Sequence, residues 1–144
     1  MSGPEPPRPG LRGILETAVY VEDLDRSRAF YTALFGLPVM MRDDRFCALD
    51  VAGKDVLLLF RKGGTPEPVS TPGGLIPPHD GEGHLHMAFA VDREDLDRWE
   101  SRLREHRIEI ESRVEWKAGG RSVYFRDPDG HLLELVTPGV WANY

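Results

Sequence analysis

The sequence repeats across its two halves, and this repeat constrains the fold more than any other feature. The tetrapeptide Asp23-Leu24-Asp25-Arg26 recurs as Asp95-Leu96-Asp97-Arg98, displaced by half the chain length of 144 residues. The strand-like segments that precede the two tetrapeptides align so that Glu16 stands opposite His86. A shared tetrapeptide alone is weak evidence. Because the order of the predicted elements also agrees throughout, we interpret the chain as a duplication of one unit.

Each unit is predicted to be βαβββ, from the alternation and helical spacing of its apolar residues. In the first unit, Asp23 and Gly36 are typical of a helix N-cap and of the residue after a helix. The predicted elements there are strands at 14–21, 37–41, 45–51 and 55–60 and a helix at 24–35. In the second they are strands at 84–91 and 108–110, a helix at 94–105 and a hairpin at 121–136. The fold class is therefore α+β.

One domain, residues 13–138, is predicted to contain both units. Its modules are 13–60 and 84–138, and residues 1–12 and 139–144 are tails, the first of them disordered. The connecting loop 61–83 is rich in proline and glycine, so no regular element is predicted in it. A loop of this length in a small domain is either a linker or a functional flap.

A carboxylate stands in the middle of the last predicted strand, where Glu134 is flanked by leucines and a valine. Burying it is costly unless a partner offsets its charge. Glu134 is therefore either on a solvent-exposed face, paired with a basic residue, or a ligand for a cation. In the predicted turn before it, Arg126 and His131 are expected to be solvated.

Composition excludes several classes of function. The net charge of −6 and the pI of about 5.3 disfavour nucleic-acid and anionic-membrane partners. No apolar run approaches the roughly 20 residues of a membrane helix, and the N-terminus lacks the apolar core of a signal peptide. The single cysteine, Cys47, is expected to be a small buried residue in a reducing compartment. We therefore expect a cytoplasmic protein.

Three stretches carry a resemblance to a known family: ETAVYVEDLDRSRAFYTALFGLPV, GHLHMAFAV and VYFRDPDGHLLEL. Together with the tandem βαβββ pattern, they make the chain resemble the vicinal oxygen chelate superfamily, the glyoxalase/bleomycin-resistance/dioxygenase group, over roughly residues 13–138. The resemblance implies an eight-stranded, U-shaped mixed sheet around one metal site. It also implies that the ligands come from the first strand of each module and the last strand of each hairpin.

Placed on this sequence, the family's ligand positions fall on Glu16, His86 and Glu134, and the fourth falls near Leu58, which cannot coordinate a metal. The resemblance thus implies a three-ligand site for one divalent ion, Zn, Mn, Fe, Co or Ni. One histidine and two carboxylates suit an ion that keeps open positions for substrate. Glu134 or Glu16 is also a candidate catalytic base.

Three further residues are candidates for binding substrate. His79 lies in the flap and is either a substrate contact or a surface histidine. Tyr124 and Arg121 lie on the hairpin that bears Glu134 and are candidate contacts for an anionic substrate. Because strand residues alternate between faces, Tyr124 shares a face with Arg126 and not with Phe125.

Two functions of different classes follow from the resemblance. The first is a metal-dependent enzyme acting on a small oxygen-chelating substrate, with lyase or isomerase chemistry favoured. The alternative is a metal-free drug- or metabolite-binding protein of the bleomycin-resistance type. A homodimer is expected in either case, with a small-molecule ligand as partner and neither nucleic acid nor membrane.

Overall fold

The computed structural model of the protein describes residues 2–144, so that residue 1 of the predicted N-terminal tail lies outside the described residues. Residues 2–15 contain no helix or strand. The first module consists of β1 (Glu16–Val21), α1 (Leu24–Phe35), β2 (Val39–Arg42), β3 (Phe46–Val51) and β4 (Asp55–Arg61). A short hairpin follows, β5 (Val69–Thr71) and β6 (Gly74–Ile76). The second module consists of β7 (His86–Ala90), α2 (Leu96–Glu105), β8 (Ser112–Glu115), β9 (Arg121–Arg126) and β10 (Leu132–Val136).

The two modules have the same topology. Their strands form two mixed four-stranded sheets, ordered β1-β4-β3-β2 and β7-β10-β9-β8. In each sheet the first strand of the module pairs in parallel with the last, and the other pairs are antiparallel. The predicted α+β class with two tandem βαβββ modules is confirmed. As a result, among the strands of residues 2–144, β1 and β7 each have a neighbour on one side only.

Strand register also relates the two modules. Glu134 pairs with Ala88 on the adjacent parallel strand, and its counterpart Leu58 pairs with Ala18. Both alanines lie two residues after the first residue of their strand. Glu16 and His86, the first residues of β1 and β7, therefore occupy equivalent places in the two modules.

Helix α1 has the predicted bounds because both of its ends are capped. The Asp23 carboxylate accepts from the backbone N–H of Arg26 at 3.0 Å. Gly36 adopts a left-handed conformation with φ of 68°, and its N–H donates to the carbonyl of Thr32. A helix that ends in this way favours glycine, since a side chain is strained at positive φ.

No helix within residues 2–144 is long and apolar enough to cross a membrane.

One of the predicted strands is wrong. Residues 108–110 are not a strand, and β8 begins at Ser112 instead. The turn after β8 decides this register, because the N–H of Trp116 donates to the carbonyl of Gly120 at 2.7 Å and so places Glu115 opposite Arg121. The apolar side chains of Ile108 and Ile110 pack against the core, although these residues do not belong to a β-strand.

The connecting loop 61–83 does contain regular structure, namely the β5–β6 hairpin. The segment after the hairpin is attached to the first module, where the N–H of His79 donates to the carbonyl of Thr65 at 3.0 Å. Gly81 lies against the ring of Tyr20, so closely that a Cβ there would overlap the ring carbons. Only glycine allows this approach.

One hydrophobic core joins the two modules, and buried polar residues of the β9–β10 turn join them further. Tyr31 of α1 is fully buried and donates its hydroxyl hydrogen to the Asp127 carboxylate at 2.7 Å. Asp129 accepts from the N–H of Glu22 at 2.9 Å and from the Ser27 hydroxyl at 3.1 Å. The turn thus binds the β1–α1 junction of the first module.

His131 is not solvated, contrary to expectation, since only 1% of it is exposed. Its Nδ1 accepts from the N–H of Leu85 at 2.9 Å, and its Nε2 donates to the carbonyl of Tyr20 at 2.7 Å. The second contact crosses to the first module. Both ring nitrogens are satisfied by the backbone, so His131 is a structural residue.

Buried Tyr31 makes stability depend on alkaline pH. Burial, and then the charge of Asp127, raise the pKa of its phenol above the ordinary value of 10.0. Since the folded-state pKa exceeds the unfolded one, this contribution to stability is complete below pH 10 and is lost as pH rises above it. We expect Tyr31→Phe to lower the free energy of unfolding at pH 7 by about 1 kcal/mol.

Above pH 10 the same variant should lose stability less steeply than the wild type, by up to about 1.4 kcal/mol per pH unit. Urea unfolding between pH 8 and 11 measures both slopes. Equal slopes would contradict the buried, hydrogen-bonded phenol.

Candidate metal centre and a second cavity

His86 and Glu134 lie side by side on the outer face of the second sheet. His86 begins edge strand β7, and Glu134 is the central residue of the neighbouring strand β10. The Nε2 atom of His86 is 3.3 Å from Oε1 of Glu134. The carboxylate is mostly buried, with 10% of its side chain exposed, whereas the imidazole is half exposed at 51%. The Glu134 side chain is therefore mostly enclosed by the protein, whereas His86 faces solvent.

A second contact orients each of the two groups. Nδ1 of His86 lies 2.9 Å from the carbonyl oxygen of Leu132. A carbonyl only accepts, so Nδ1 carries the hydrogen, and neutral His86 has its lone pair on Nε2. The Ser122 hydroxyl donates to Oε2 of Glu134 at 2.5 Å and accepts from the indole N–H of Trp116 at 2.8 Å. Oε1 is left to face the imidazole.

Two acceptor atoms therefore face each other, which is unfavourable unless a proton or a cation lies with them. Histidine ligands of metals usually donate their second ring N–H to a carbonyl or carboxylate, as His86 does. One imidazole nitrogen and one carboxylate oxygen are donors that divalent transition metals accept. The chemistry of these residues thus fits a metal ion. A protonated imidazole paired with Glu134 is the metal-free alternative.

Tyr124 borders this pair and Arg121 does not. Tyr124 lies opposite Glu134 in the ladder, with its ring centroid 6.4 Å from that of His86. Burial, and then the charge of Glu134, raise the pKa of its phenol, so that it remains a hydrogen-bond donor at neutral pH. Arg121 lies on the other face of β9, where its guanidinium is 3.8 Å from Asp97 of α2.

Glu16 lies on the first module, in a cavity of about 450 Å³. The flap residue His79 lines the same cavity, which is bordered in full by Glu16, Ala18, Arg45, Phe46, Leu58, Phe60, Ile76 and His79. Within residues 2–144, no three His, Cys, Asp or Glu side chains form a group that could hold a metal. The chain therefore brings together two of the three predicted ligands, His86 and Glu134.

The separation of Glu16 from this pair follows from how the modules pack. Alternate residues of both central strands point into the common core (Leu57 and Leu59 of β4, Leu133 and Leu135 of β10). The residues between them, Leu58 and Glu134, consequently point to the opposite faces of their sheets. Each module thus presents its candidate residues on an outer face, away from the core that the modules share.

The two outer faces are each bordered by an unpaired strand edge. In the described part of the chain, β1, which begins with Glu16, pairs only with β4, and β7, which begins with His86, pairs only with β10. Such edges have unpaired backbone N–H and C=O groups and favour association with another strand.

Comparison with known proteins agrees with this fold. A sequence model of the Glyoxalase/Bleomycin resistance protein/Dioxygenase superfamily matches residues 13–135. Because this match spans most of the chain, the protein belongs to that superfamily. The resemblance inferred from the sequence is confirmed.

Individual relatives are enzymes of more than one kind. Metallothiol transferase FosB of Bacillus licheniformis is 29% identical over 91% of this chain and 79% of its own length. Glutathione transferase FosA of Serratia marcescens is 30% identical over 88% of this chain and 80% of its own. The crystal structure of lactoylglutathione lyase from Agrobacterium tumefaciens superposes with a TM-score of 0.83 at 30% identity, covering 92% of this chain and 98% of that one.

Proposed function

We propose that the protein is a divalent-metal-dependent enzyme acting on a small molecule that chelates the ion through two oxygens. His86 and Glu134 would hold the ion together with Glu16 of a second copy of the chain. The observation that carries the proposal is that the lone pair of His86 Nε2 faces the Glu134 carboxylate at 3.3 Å. Each group is oriented by a second hydrogen bond, from Nδ1 of His86 to the carbonyl of Leu132 and from the Ser122 hydroxyl to Oε2 of Glu134.

A homodimer supplies the third ligand. Glu16 and the His86–Glu134 pair lie on different outer faces of one chain, so they do not meet within it. Each lies at an unpaired edge strand, β1 or β7. If β1 of one copy lies beside β7 of another, both edges are covered and Glu16 approaches the pair. A closed dimer with a two-fold axis would form two such sites.

When bound, the ion would polarise the chelating oxygens of the substrate and stabilise negative charge that develops on them. A carboxylate at the site, Glu134 or Glu16, would accept a proton from the substrate and return it elsewhere. Ser122 fixes the Glu134 carboxylate through Oε2 and leaves Oε1 for this contact. Tyr124, a neutral phenol beside Glu134, would donate a hydrogen bond to a substrate oxygen.

Lyase or isomerase chemistry is favoured among the reactions of the superfamily. The chain offers carboxylate bases but no thiol nucleophile of its own at the site, because its single cysteine, Cys47, is buried in the core. The names of three relatives, metallothiol transferase, glutathione transferase and lactoylglutathione lyase, all refer to thiols. We therefore infer that any thiol enters with the substrate, as a thiol adduct.

A metal-free binding protein is the second candidate. Two observations favour it: Leu58 occupies the position equivalent to Glu134, and a protonated His86 would pair with Glu134 without a metal. In that case the outer faces would bind a drug or metabolite between two copies.

Metal content separates the two functions. Protein purified without a metal-affinity column is stripped with EDTA, and Zn²⁺, Mn²⁺, Fe²⁺, Co²⁺ or Ni²⁺ is then added singly. We expect one ion per chain by atomic emission, and stabilisation of about 2.7 kcal/mol at a free concentration 100 times the Kd. The loaded protein is then assayed with α-keto thiol adducts and epimerisable acyl thioesters. Failure of every ion to bind or stabilise would favour the metal-free function.

A further inference from the structure

We propose that the cavity on the first module binds a carboxylate group of the substrate, with Arg45 and His79 contacting the carboxylate and an apolar wall contacting the body of the ligand. The inference rests on the proposed function only in placing this cavity next to the metal, through Glu16. It specifies the substrate class as an apolar, preferably aromatic, carboxylic acid that also has chelating oxygens.

Arg45 provides a positive charge at the cavity that forms no ion pair with an acidic residue of the described chain. Its guanidinium lies 5.6 Å from the ring centroid of Phe46 and 5.7 Å from that of Phe60. Its backbone N–H donates to the Asp43 carboxylate at 2.7 Å. Within residues 2–144 its guanidinium takes part in no ion pair or hydrogen bond, so the guanidinium donors are available to a ligand. Two aromatic contacts hold the planar group without using these donors, and a guanidinium matches a carboxylate in bidentate geometry.

The backbone and stem of Arg45 are also fixed. Its carbonyl accepts from the N–H of Arg61 at 2.9 Å. A Cβ built on Gly64 would stand 3.4 Å from Cγ of Arg45, which places the stem directly over that glycine. A held side chain loses less entropy when it binds a ligand than a free one does.

His79 is held in place by a buried residue. Its Nδ1 lies 2.5 Å from the hydroxyl of Tyr20, which is 7% exposed, and its ring meets Phe60 edge-on at 4.6 Å. With Nδ1 engaged by Tyr20, Nε2 is the ring nitrogen left to contact a ligand. When the Tyr20 hydroxyl donates to Nδ1, neutral His79 carries its hydrogen on Nε2 and donates it to an acceptor such as a carboxylate.

The remaining wall suits an apolar, flat ligand. Its five apolar residues are Ala18, Phe46, Leu58, Phe60 and Ile76. A volume of about 450 Å³ lies within the range of small-molecule sites. Aromatic rings stack favourably on other aromatic rings, which favours an aromatic ligand over an aliphatic one.

Charge at the cavity is divided rather than uniform. Glu16 repels an anion, whereas Arg45 and His79 attract one. A ligand that fits this division presents its carboxylate to Arg45 and its neutral chelating oxygens to the Glu16 end. Such polarity would fix the orientation of the substrate relative to the proposed metal.

The test uses two probes of the same shape, charged 2-naphthoate and neutral 2-naphthamide, titrated calorimetrically into the intact protein in EDTA. We expect the wild type to bind naphthoate about 10-fold more tightly than naphthamide, as for a charge-assisted hydrogen bond. Arg45→Met should abolish this preference and leave naphthamide binding unchanged, while Arg45→Lys should retain part of it. His79→Leu should weaken naphthoate binding more than naphthamide binding.

Arg42→Met is the matched control, because it removes the same charge from an exposed residue of β2 that does not line the cavity. It should preserve the preference. Equal affinity of the wild type for both probes, no binding of either, or an unchanged preference in Arg45→Met would each overturn the inference. Since every titration is made without metal, these outcomes are independent of whether the metal proposal succeeds.

Discussion

Glu134→Gln is expected to weaken binding of the divalent ion by at least about 100-fold, since loss of even an outer partner of a ligand costs 10- to 100-fold. The amide keeps the size of the carboxylate but lacks its charge. Its oxygen and nitrogen can still exchange a hydrogen bond with Ser122, the partner of the wild-type carboxylate at 2.5 Å. Catalysis that depends on the bound ion, or on Glu134 as a base, should therefore be lost in this variant.

Stability in EDTA distinguishes this loss from misfolding. Glu134 is a largely buried carboxylate that faces a lone pair of His86 in the metal-free protein. Its neutralisation should therefore leave the free energy of unfolding equal to or above that of the wild type without metal. Only the extra stabilisation by metal should disappear. A chelator competition assay measures the affinity, and urea unfolding with and without metal measures the stability.

Two further variants complete the comparison. His86→Ala should also abolish metal binding at little cost in stability, because half of that side chain is exposed. Glu115→Gln, at an exposed carboxylate of β8 in the same sheet, should change neither quantity. If Glu134→Gln bound metal within 3-fold of the wild type, the proposed centre would be wrong.

Replacing His131 by leucine is expected to destabilise the fold by about 3 kcal/mol, since two buried backbone groups lose their partners at roughly 1–3 kcal/mol each. These groups are the N–H of Leu85 and the carbonyl of Tyr20, which His131 joins at 2.9 and 2.7 Å. Leucine is similar in volume but offers neither a donor nor an acceptor. The midpoint of thermal unfolding should fall by about 10 °C.

Urea unfolding at pH 7 measures this effect. His131→Gln, which retains an acceptor and a donor, should recover part of the loss. His106→Leu is the control, because that histidine is exposed after α2 and its replacement should remain within about 0.5 kcal/mol of the wild type. Equal stability of His131→Leu and the wild type would contradict the role of His131 in joining the modules.

Much of the fold was predictable because the signals are local. The capping residues Asp23 and Gly36 bound α1, and the bounds of this helix agree with prediction. The strand at 108–110 was wrong because isoleucines beside a core resemble strand residues, while the pairing depends on the turn between Trp116 and Gly120. The pattern of apolar residues alone does not distinguish a strand from an irregular segment that packs against the core.

The candidate site was predictable only in part. Alternation places Ser122 on the same face as Tyr124, yet nothing in the sequence singles out that serine as the partner of Glu134. The role of Arg45 was likewise not predictable from the sequence. Its contacts with two aromatic rings depend on the register of β3 against β4 and on side-chain positions in the folded chain.

By itself, the sequence determined that two βαβββ modules form and that His86 and Glu134 lie on the first and last strands of the second module. Both conclusions depend on the spacing of apolar residues and on the order of the predicted elements, which are properties of the sequence. Only the tertiary structure decided that Glu16 lies on a different outer face from this pair, and that His131 is buried between the modules. The physical reason is that these placements depend on how the modules pack against each other, and a one-dimensional pattern does not specify contacts between distant surfaces.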